Sequence, residues 1–121
     1  RLRLLGEVGL QLFGEVGDVV NSYWFYTIVL PPGLAAKRDE IIGMMLKNGV
    51  EVRQTFYPIH RMPPYAPFVA AGQKYPVSDA IADAGISLPS AVNMSKANIE
   101  KVCLVLTDVL AYYRVNENLL N

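Results

Sequence analysis

The amino-acid sequence predicts a small two-layer α+β domain, with helices packed on a sheet of about three strands. Two observations predict this class. Segments dense in aromatic and β-branched residues alternate along the chain with segments whose apolar residues have helical spacing. The 121 residues are 52% apolar and 18% charged. This composition supplies one hydrophobic core and excludes a disordered, highly charged tail.

The N-terminal part of the chain predicts little regular structure before its first strand. Residues 1–13 carry leucines and valines at loosely helical spacing, interrupted by glycines, and predict a frayed helix or a connecting arm. Residues 16–20 predict a short extended or loop segment. A strand follows over 23–30, where Tyr-Trp-Phe-Tyr-Thr-Ile-Val-Leu ends at Pro31 and Pro32. Both of its faces are apolar, so we expect a central strand that is covered on both sides.

A helix and a second strand follow. Residues 35–48 predict a helix that ends at Gly49. Its apolar stripe consists of Ile41, Ile42, Met45 and Leu46. Residues 50–56 then alternate between apolar and polar side chains, which predicts a strand with Arg53 on the face opposite Val52.

The middle of the chain is dominated by proline. Three prolines within residues 57–65 predict an irregular loop, because proline neither donates to a ladder nor continues a helix. One helical turn is expected over 65–71. A short helix over 76–84 has proline in its first turn and ends at Gly85. Residues 86–89 predict a short third strand.

The longest helix is predicted over residues 96–114, where apolar residues recur at the spacing of one helical face. Ser95 is the expected N-cap of this helix. The chain then divides into three parts: a connecting arm or helix over 1–20, one domain over 21–114, and a frayed tail over 115–121.

Charge, cysteine and histidine counts exclude several function classes. Eleven Lys and Arg residues balance eleven Asp and Glu residues, whereas nucleic-acid-binding proteins have a basic excess. The single cysteine, Cys103, and the single histidine, His60, exclude an internal disulfide and a zinc site built on several such residues. Cys103 lies on the apolar face of the last helix, which favours a core position. We therefore expect no nucleic acid and no metal as partners.

The hydropathy pattern indicates a cytoplasmic protein. No apolar run reaches the roughly 18 residues that a membrane-spanning helix needs, and the first residues lack a signal-peptide pattern. No membrane partner is therefore expected. The sequence also lacks the glycine-rich phosphate loop, the zinc-protease helix and the serine-hydrolase elbow.

One segment carries most of the candidate binding chemistry. Residues 53–65 contain two arginines, a histidine and two tyrosines: Arg53, Tyr57, His60, Arg61 and Tyr65. Guanidinium and imidazolium groups bind carboxylates and phosphates, and tyrosine rings stack on planar groups. The segment therefore predicts an anion site at a strand end and in a loop held rigid by proline.

Structural roles remain open for the same side chains. Arg53 could be a solvated strand residue paired with Glu51 or Asp39. His60 could hydrogen-bond a backbone carbonyl and hold the loop in place. The two tyrosines could lie at the edge of the core.

The segment that contains these residues resembles a known enzyme family. Residues 49–65, Gly-Val-Glu-Val-Arg-Gln-Thr-Phe-Tyr-Pro-Ile-His-Arg-Met-Pro-Pro-Tyr, are similar to the C-terminal domain of the DegT/DnrJ/EryC1/StrS sugar aminotransferases. Tyr-Pro-Val-Ser-Asp at 75–79 and Gly-Ile-Ser-Leu-Pro-Ser at 85–90 follow in the family's order. The resemblance covers roughly residues 20–112. Among subgroups, the sequence is most similar to perosamine-synthase-like enzymes, which aminate the 4-keto carbon of a nucleotide-linked 6-deoxy sugar.

The resemblance implies the small domain of an enzyme with the aspartate-aminotransferase fold. It implies amino transfer from glutamate, with pyridoxal phosphate (PLP) bound to a lysine of a large N-terminal domain. No lysine of this chain lies in the family's lysine motif, so we expect neither a catalytic nor a cofactor-binding residue here. The five lysines are Lys37, Lys47, Lys74, Lys96 and Lys101. The expected partners are the large domain of the same enzyme and a second subunit in a homodimer.

By position in the family's motif, the resemblance assigns substrate contacts to this chain. Arg53 and His60 are expected near the cleft between the domains, where they bind the carboxylate of the amino donor or the nucleotide sugar. Tyr57 and Tyr65 are further expected substrate contacts. The alternative hypothesis is a stand-alone, non-catalytic module that binds an anionic small molecule or a protein partner. A cleft open toward another domain favours the first hypothesis, and a closed pocket favours the second.

Overall fold

The computed structural model describes residues 9–15 and 17–118. The strands and helices, in chain order, are β1 Gln11–Leu12, β2 Tyr26–Val29, α1 Pro32–Ala35, α2 Arg38–Lys47, β3 Arg53–Gln54, α3 Pro76–Ala84, β4 Gly85–Leu88 and α4 Lys96–Asn118. Two 3₁₀ turns, Ile59–Arg61 and Pro63–Phe68, lie between β3 and α3.

Within the described residues, the strands form one four-stranded antiparallel sheet in the order β1-β2-β4-β3. Ile28 of β2 stands opposite Ile86 of β4, and both side chains are fully buried. Strand β3 pairs with β4, where Arg53 stands opposite Ser87. The predicted α+β class is confirmed, although the sheet has one strand more than expected.

The additional strand, β1, lies where the sequence predicted a helix or an arm. It pairs with the end of β2. Gly9 has a positive φ of 74°, a conformation that ends regular helix, and Leu10 packs into the core. The helix prediction is therefore wrong for residues 10–12, because they are fixed to the sheet. Residues 1–8 of the predicted arm lie outside the described part of the chain.

Strand β2 is shorter than predicted. The expected strand covered 23–30, but the ladder begins only at Tyr26. Tyr23 has a positive φ of 49°, and the chain bends at Trp24 and Phe25 before it enters the sheet. The central position of this strand is confirmed, since β2 lies between β1 and β4.

The helix predicted over 35–48 corresponds to α2, which begins three residues later than predicted, and a turn separates it from the short helix α1, which was not predicted. Ile41 and Met45 of α2 are fully buried, and α2 packs against α4. Leu46 was expected on the same stripe but is exposed. Because each residue turns the helix by about 100°, Leu46 lies about 140° around the axis from Ile41. The stripe prediction is therefore wrong at Leu46.

The second predicted strand, over 50–56, pairs only at β3. Val50 and Val52 are buried as the alternation predicts, but Phe56 at the end of the pattern is exposed. In the loop that follows, regular turns begin earlier than predicted, because the second 3₁₀ turn runs from Pro63 to Phe68 rather than over 65–71. The alternation thus predicted the core positions of Val50 and Val52, but not the exposure of Phe56 or how far the ladder extends.

The last three elements agree closely with the sequence. Helix α3 has the predicted bounds, and β4 begins one residue earlier than expected. Ser95 caps α4, since its Oγ accepts a hydrogen bond of 3.1 Å from the N–H of Asn98. Helix α4 continues to Asn118, so the predicted frayed tail is wrong over 115–118, and residues 119–121 lie outside the described residues.

The core lies between the sheet and the helices. Its fully buried side chains are Ile28, Ile41, Met45, Ile86, Leu106 and Leu110. Cys103 is buried, as predicted. The Tyr113 hydroxyl of α4 donates a hydrogen bond to Glu40 of α2 at 3.2 Å. Burial of the Tyr113 ring raises the pKa of this tyrosine. Among the described residues, no charged or polar side chain is buried.

Candidate functional site

The proline-rich loop lies between β3 and α3 and folds into the two 3₁₀ turns. Pro58 precedes the first turn with an extended backbone, and its carbonyl accepts the N–H of Arg61 at 3.0 Å. The turns satisfy their own backbone groups locally, as proline-containing segments require. His60 and Arg61 thereby stand next to each other on the first turn.

Two side chains hold His60: Asp79 on α3 and Tyr75, the residue directly before α3. Its Nε2 lies 2.7 Å from Oδ1 of Asp79. Its ring stacks on Tyr75 with ring centroids 4.5 Å apart and an angle of 30° between the planes. The side chain retains 18% exposure. His60 therefore has a fixed orientation and is only partly exposed.

Arg61 bridges two carboxylates that are one helical turn apart on α3. Its Nε lies 2.6 Å from Oδ1 of Asp79. Its two terminal nitrogens contact both oxygens of Asp83, at 2.5 and 3.0 Å. The hydrogen bonds that Arg61 donates to Asp83 raise the pKa of Arg61 and lower the pKa of Asp83. The guanidinium is engaged on both edges by the protein itself.

The Arg61–Asp83 pair predicts a pH dependence of stability. A carboxyl whose pKa is lowered on folding adds stability above its unfolded pKa, and this stability is lost as the pH falls through the folded value. We expect Asp83→Asn to lower the urea midpoint at neutral pH. The difference from wild type should shrink as the pH falls below about 4 and disappear only below the lowered pKa of Asp83 in the folded chain.

Urea titrations at several pH values measure this difference. Asp108→Asn, on the exposed side of α4, is the matched control and should leave the midpoint unchanged at neutral pH. A constant difference between wild type and Asp83→Asn down to acid pH would contradict a charge-dependent role for this pair.

Arg53 lies apart from these groups, on edge strand β3. Its Nη2 contacts Oε1 of Glu51 at 3.1 Å, and its side chain is 76% exposed. It borders a shallow cleft of about 150 Å³ together with Phe25, Ser87 and Ser90. The cleft opens to solvent, so the Arg53 guanidinium is accessible to an anion at the cost of an exposed ion pair.

The structure thus divides the predicted cluster. Arg53 has the Glu51 partner that the sequence offered as an alternative, while His60 contacts a carboxylate rather than a backbone carbonyl. Within the described residues, Arg53 and His60 share no hydrogen-bond partner. Tyr57 and Tyr65 are both exposed on the loop.

Sequence reasoning missed the residues of α3 that hold the loop. Asp79 and Asp83 are four residues apart and therefore lie on one face of the helix. This spacing, next to a loop with two adjacent basic residues, was the available signal. No signal in the sequence indicated that Tyr75 contacts His60, because an aromatic residue before a helix can pack against many different side chains.

A second feature beside the site is an exposed group of rings, Trp24, Phe25 and Phe56, which we name the aromatic cluster. The centroids of Trp24 and Phe25 are 4.7 Å apart, and those of Phe25 and Phe56 are 5.3 Å apart. Trp24 is 74% exposed and Phe56 is 72% exposed. A cleft of about 320 Å³ next to these rings is lined by Thr27 and Thr55 among others. So much aromatic surface in one place is typical of an interface.

The described residues do not form a site for a cofactor held by a buried lysine. All five lysines are exposed, and Lys37 is paired with Glu40 at 3.0 Å. A Schiff-base lysine needs a desolvated environment that lowers its charge, and no charged side chain in the described ranges is buried. No cluster of metal ligands occurs among these residues either.

Comparison with known proteins identifies relatives of this chain. A sequence model of the DegT/DnrJ/EryC1/StrS aminotransferase family matches residues 3–107. The chain is 35% identical over 90 residues to the GDP-perosamine synthase of Caulobacter vibrioides, covering 74% of this chain and 24% of that protein. It is 31% identical over 94 residues to the GDP-perosamine synthase of Escherichia coli O157:H7, covering 78% of this chain and 24% of that protein.

Solved structures show the same fold. The aminotransferase TlmJ of Streptoalloteichus hindustanus superposes with a TM-score of 0.73 at 21% identity, covering 88% of this chain and 27% of that one. A Streptococcus pneumoniae protein in its PLP form superposes with a TM-score of 0.75 at 16% identity, covering 89% and 28%. The predicted aminotransferase-type small domain is therefore confirmed at the level of the fold.

The chain spans about a quarter of the length of these relatives. None of the helices in the described ranges is long and apolar enough to cross a membrane. The match over most of the chain, the identity to curated relatives and the shared fold agree with one another. The chain belongs to the DegT/DnrJ/EryC1/StrS aminotransferase family, whose members depend on PLP.

Proposed function

We propose that this chain acts as the small, non-catalytic domain of a PLP-dependent nucleotide-sugar aminotransferase. The reaction would transfer an amino group from glutamate to the 4-keto carbon of a nucleotide-linked 6-deoxy sugar. The observation that carries the proposal is the match of nearly the whole domain to one quarter of the GDP-perosamine synthases. The sugar and the nucleotide are taken from those relatives.

The proposal assigns the cofactor to the other part of the enzyme. PLP, when bound there, supplies the electron sink for amino transfer. The exposed lysines and the lack of buried charge in the described residues support this division. Residues of this chain then have the tasks of binding and orienting the substrate.

Two positions of this chain would meet the substrate. Arg53 is exposed at an open cleft, and Glu51, its salt-bridge partner among the described residues, is exposed as well, so an oxyanion can replace that partner at little cost. His60 offers one ring edge from a fixed loop. Tyr57 and Tyr65 are exposed on the same loop and could stack on a sugar or a base.

The aromatic cluster is the proposed contact surface for the large domain. Burying Trp24 and Phe56 against another domain would remove the largest exposed rings of this region from water. A homodimer, as the resemblance implies, would be assembled through the complete enzyme. A cytoplasmic location belongs to the same proposal.

A domain exchange tests the proposal. The matching quarter of the Caulobacter vibrioides GDP-perosamine synthase is replaced by this chain, and amino transfer from glutamate to a GDP-linked 4-keto-6-deoxy sugar is measured. We expect activity above that of the enzyme without this quarter. A chimera that folds, binds PLP and is no more active than the truncated enzyme would support the stand-alone module instead.

Within the active chimera, Arg53→Ala tests the substrate contact. Losing a charge-assisted hydrogen bond to an anionic group should raise the KM of one substrate by about tenfold or more. Lys47→Ala, another exposed cation, is the matched control and should leave both KM values unchanged. An unchanged KM for glutamate and for the sugar nucleotide in Arg53→Ala would remove Arg53 from the site.

A further inference from the structure

The loop histidine is held by a carboxylate that also holds its neighbour. Oδ1 of Asp79 receives His60 Nε2 at 2.7 Å and Arg61 Nε at 2.6 Å. Since a carboxylate accepts hydrogen bonds and does not donate them, Nε2 must carry a proton in this arrangement. In the neutral ring, Nδ1 is then the nitrogen without a proton.

The stacking of Tyr75 prevents the ring from exchanging its two nitrogens freely. The two rings lie 4.5 Å apart and are inclined by 30°, so a flip of the imidazole would have to break both this contact and the bond to Asp79. Two partners therefore determine which edge of His60 remains for another molecule.

Arg61 is excluded from the same task by its own partners. Its guanidinium uses Nε for Asp79 and both terminal nitrogens for Asp83. A ligand would have to break these charge-assisted bonds to reach it. Of the two basic residues on this turn, only His60 has a side-chain nitrogen without a hydrogen-bond partner among the residues that the structure describes.

We infer that Asp79 is a positioning residue that presents Nδ1 of His60 to an oxyanion, a carboxylate or a phosphate of the substrate. A second proton on the ring can then go only to Nδ1, where it makes this nitrogen a donor to the anion. Asp79 balances the charge that the ring gains. The inference rests on the proposed function, because it is the substrate that brings the anion.

Nuclear magnetic resonance of the chain tests the positioning directly. His60 is the sole histidine, so its ring nitrogens give the only imidazole signals and need no assignment. In the neutral ring, wild type should populate the tautomer with the proton on Nε2 at least about tenfold over the other, as a hydrogen bond to a charged acceptor implies. A wild-type ring protonated mainly on Nδ1 overturns the inference, whatever any variant does.

Two substitutions on α3 separate Asp79 from the rest of the ion-pair network. Asp79→Asn should reduce the tautomer preference to a mixture, because an amide can serve either as donor or as acceptor to the ring. Asp83→Asn removes a partner of Arg61 but leaves the bond to His60, so it should keep the wild-type tautomer. If Asp83→Asn changes the tautomer as much as Asp79→Asn does, the general ion-pair network orients the ring and the inference fails.

Ligand titrations at mildly acidic pH test which nitrogen meets the anion and which source supplies it. L-glutamate and GDP are added separately to the labelled chain. A shift of Nδ1 larger than that of Nε2 is expected with the ligand that binds, and a larger shift of Nε2 overturns the Nδ1 assignment. No shift with either ligand contradicts the ligand role of His60 in the proposed function, while the tautomer measurement still decides the positioning role of Asp79.

A rescue experiment in the active chimera gives an independent readout. The amide nitrogen of asparagine lies near the position of a histidine Nδ1, and that of glutamine lies near Nε2. His60→Asn should therefore retain a lower KM than His60→Gln. The reverse order overturns the Nδ1 assignment, and two unchanged KM values contradict the substrate contact itself.

Discussion

Replacing Leu106 by alanine should lower the free energy of unfolding by about 3–4 kcal/mol, as expected for the truncation of a fully buried leucine. Leu106 lies in the middle of α4 and is completely buried. The change removes three buried carbons, so the free energy of their transfer out of water is lost. It also leaves a cavity that the neighbouring side chains fill only in part.

Urea unfolding followed by circular dichroism measures the loss. Leu104→Ala is the matched control, because Leu104 lies two residues away on the same helix and is 56% exposed. This control should change the free energy of unfolding by less than about 0.5 kcal/mol. Similar losses in both variants would contradict the packing of α4 described above.

Replacing Gly85 by alanine should cost roughly 3 kcal/mol, although alanine is ordinarily the better residue for an ordered backbone. Gly85 begins β4 directly after α3, with an ordinary negative φ, so backbone strain has no part in the effect. A Cβ at this position would overlap the carbonyl oxygen of Ile81 and the Cγ2 atom of Thr55. The Thr55 hydroxyl donates to the same Ile81 carbonyl at 3.1 Å, so neither neighbour can move aside without losing a bond.

Two further variants serve as comparisons for Gly85→Ala. Gly43→Ala in α2 meets no atom within 4 Å and should stabilise the chain by up to about 1 kcal/mol, through helix propensity alone. Thr55→Ser removes Cγ2, one of the three atoms that lie within 3.0 Å of a Cβ at position 85, so it should partly restore the stability of Gly85→Ala. If Gly85→Ala and Gly43→Ala change stability in the same direction, the close approach of α3, β3 and β4 is not as described.

The sequence predicted those elements whose signals are local. Helix α3 was predicted with its observed bounds because a proline in the first turn and a glycine after the last mark both ends. The N-cap of α4 was predicted for the same reason, since Ser95 binds an N–H only three residues away. Helix propensity and capping depend on residues within one helical turn of each other, so they can be recognised from the sequence.

Strand bounds were predicted less well because a ladder depends on its neighbour. Residues 50–56 alternate throughout, yet β3 is only as long as its contact with β4 allows. Strand β1 is too short to show any period at all. Its existence follows from its pairing with β2, which no pattern within residues 9–15 reveals.

The contacts of the candidate site likewise include some that the sequence predicts and some that depend on distant neighbours. The Arg53–Glu51 pair could be foreseen, because alternate residues of an extended segment lie on one face. The Asp79 partner of His60 had only the weaker signal of the spacing between Asp79 and Asp83, because the second 3₁₀ turn and a further bend separate His60 from Asp79 in sequence. The resemblance to a family predicted the fold as a whole, whereas the ion pairs of the loop are properties of these particular side chains.

The order of the strands has a consequence for how the chain acquires its structure. Strand β4, the last to be synthesised, pairs with β2 on one side and with β3 on the other. Tyr26 at the start of β2 meets Leu88 at the end of β4, so forming this ladder closes a long loop and is entropically slow. Until β4 arrives, β3 has no neighbour to pair with, and only the helices and the β1–β2 pair can form locally. The sheet is therefore completed in one late step, and we expect the pairing of β4 to set the rate at which the chain folds.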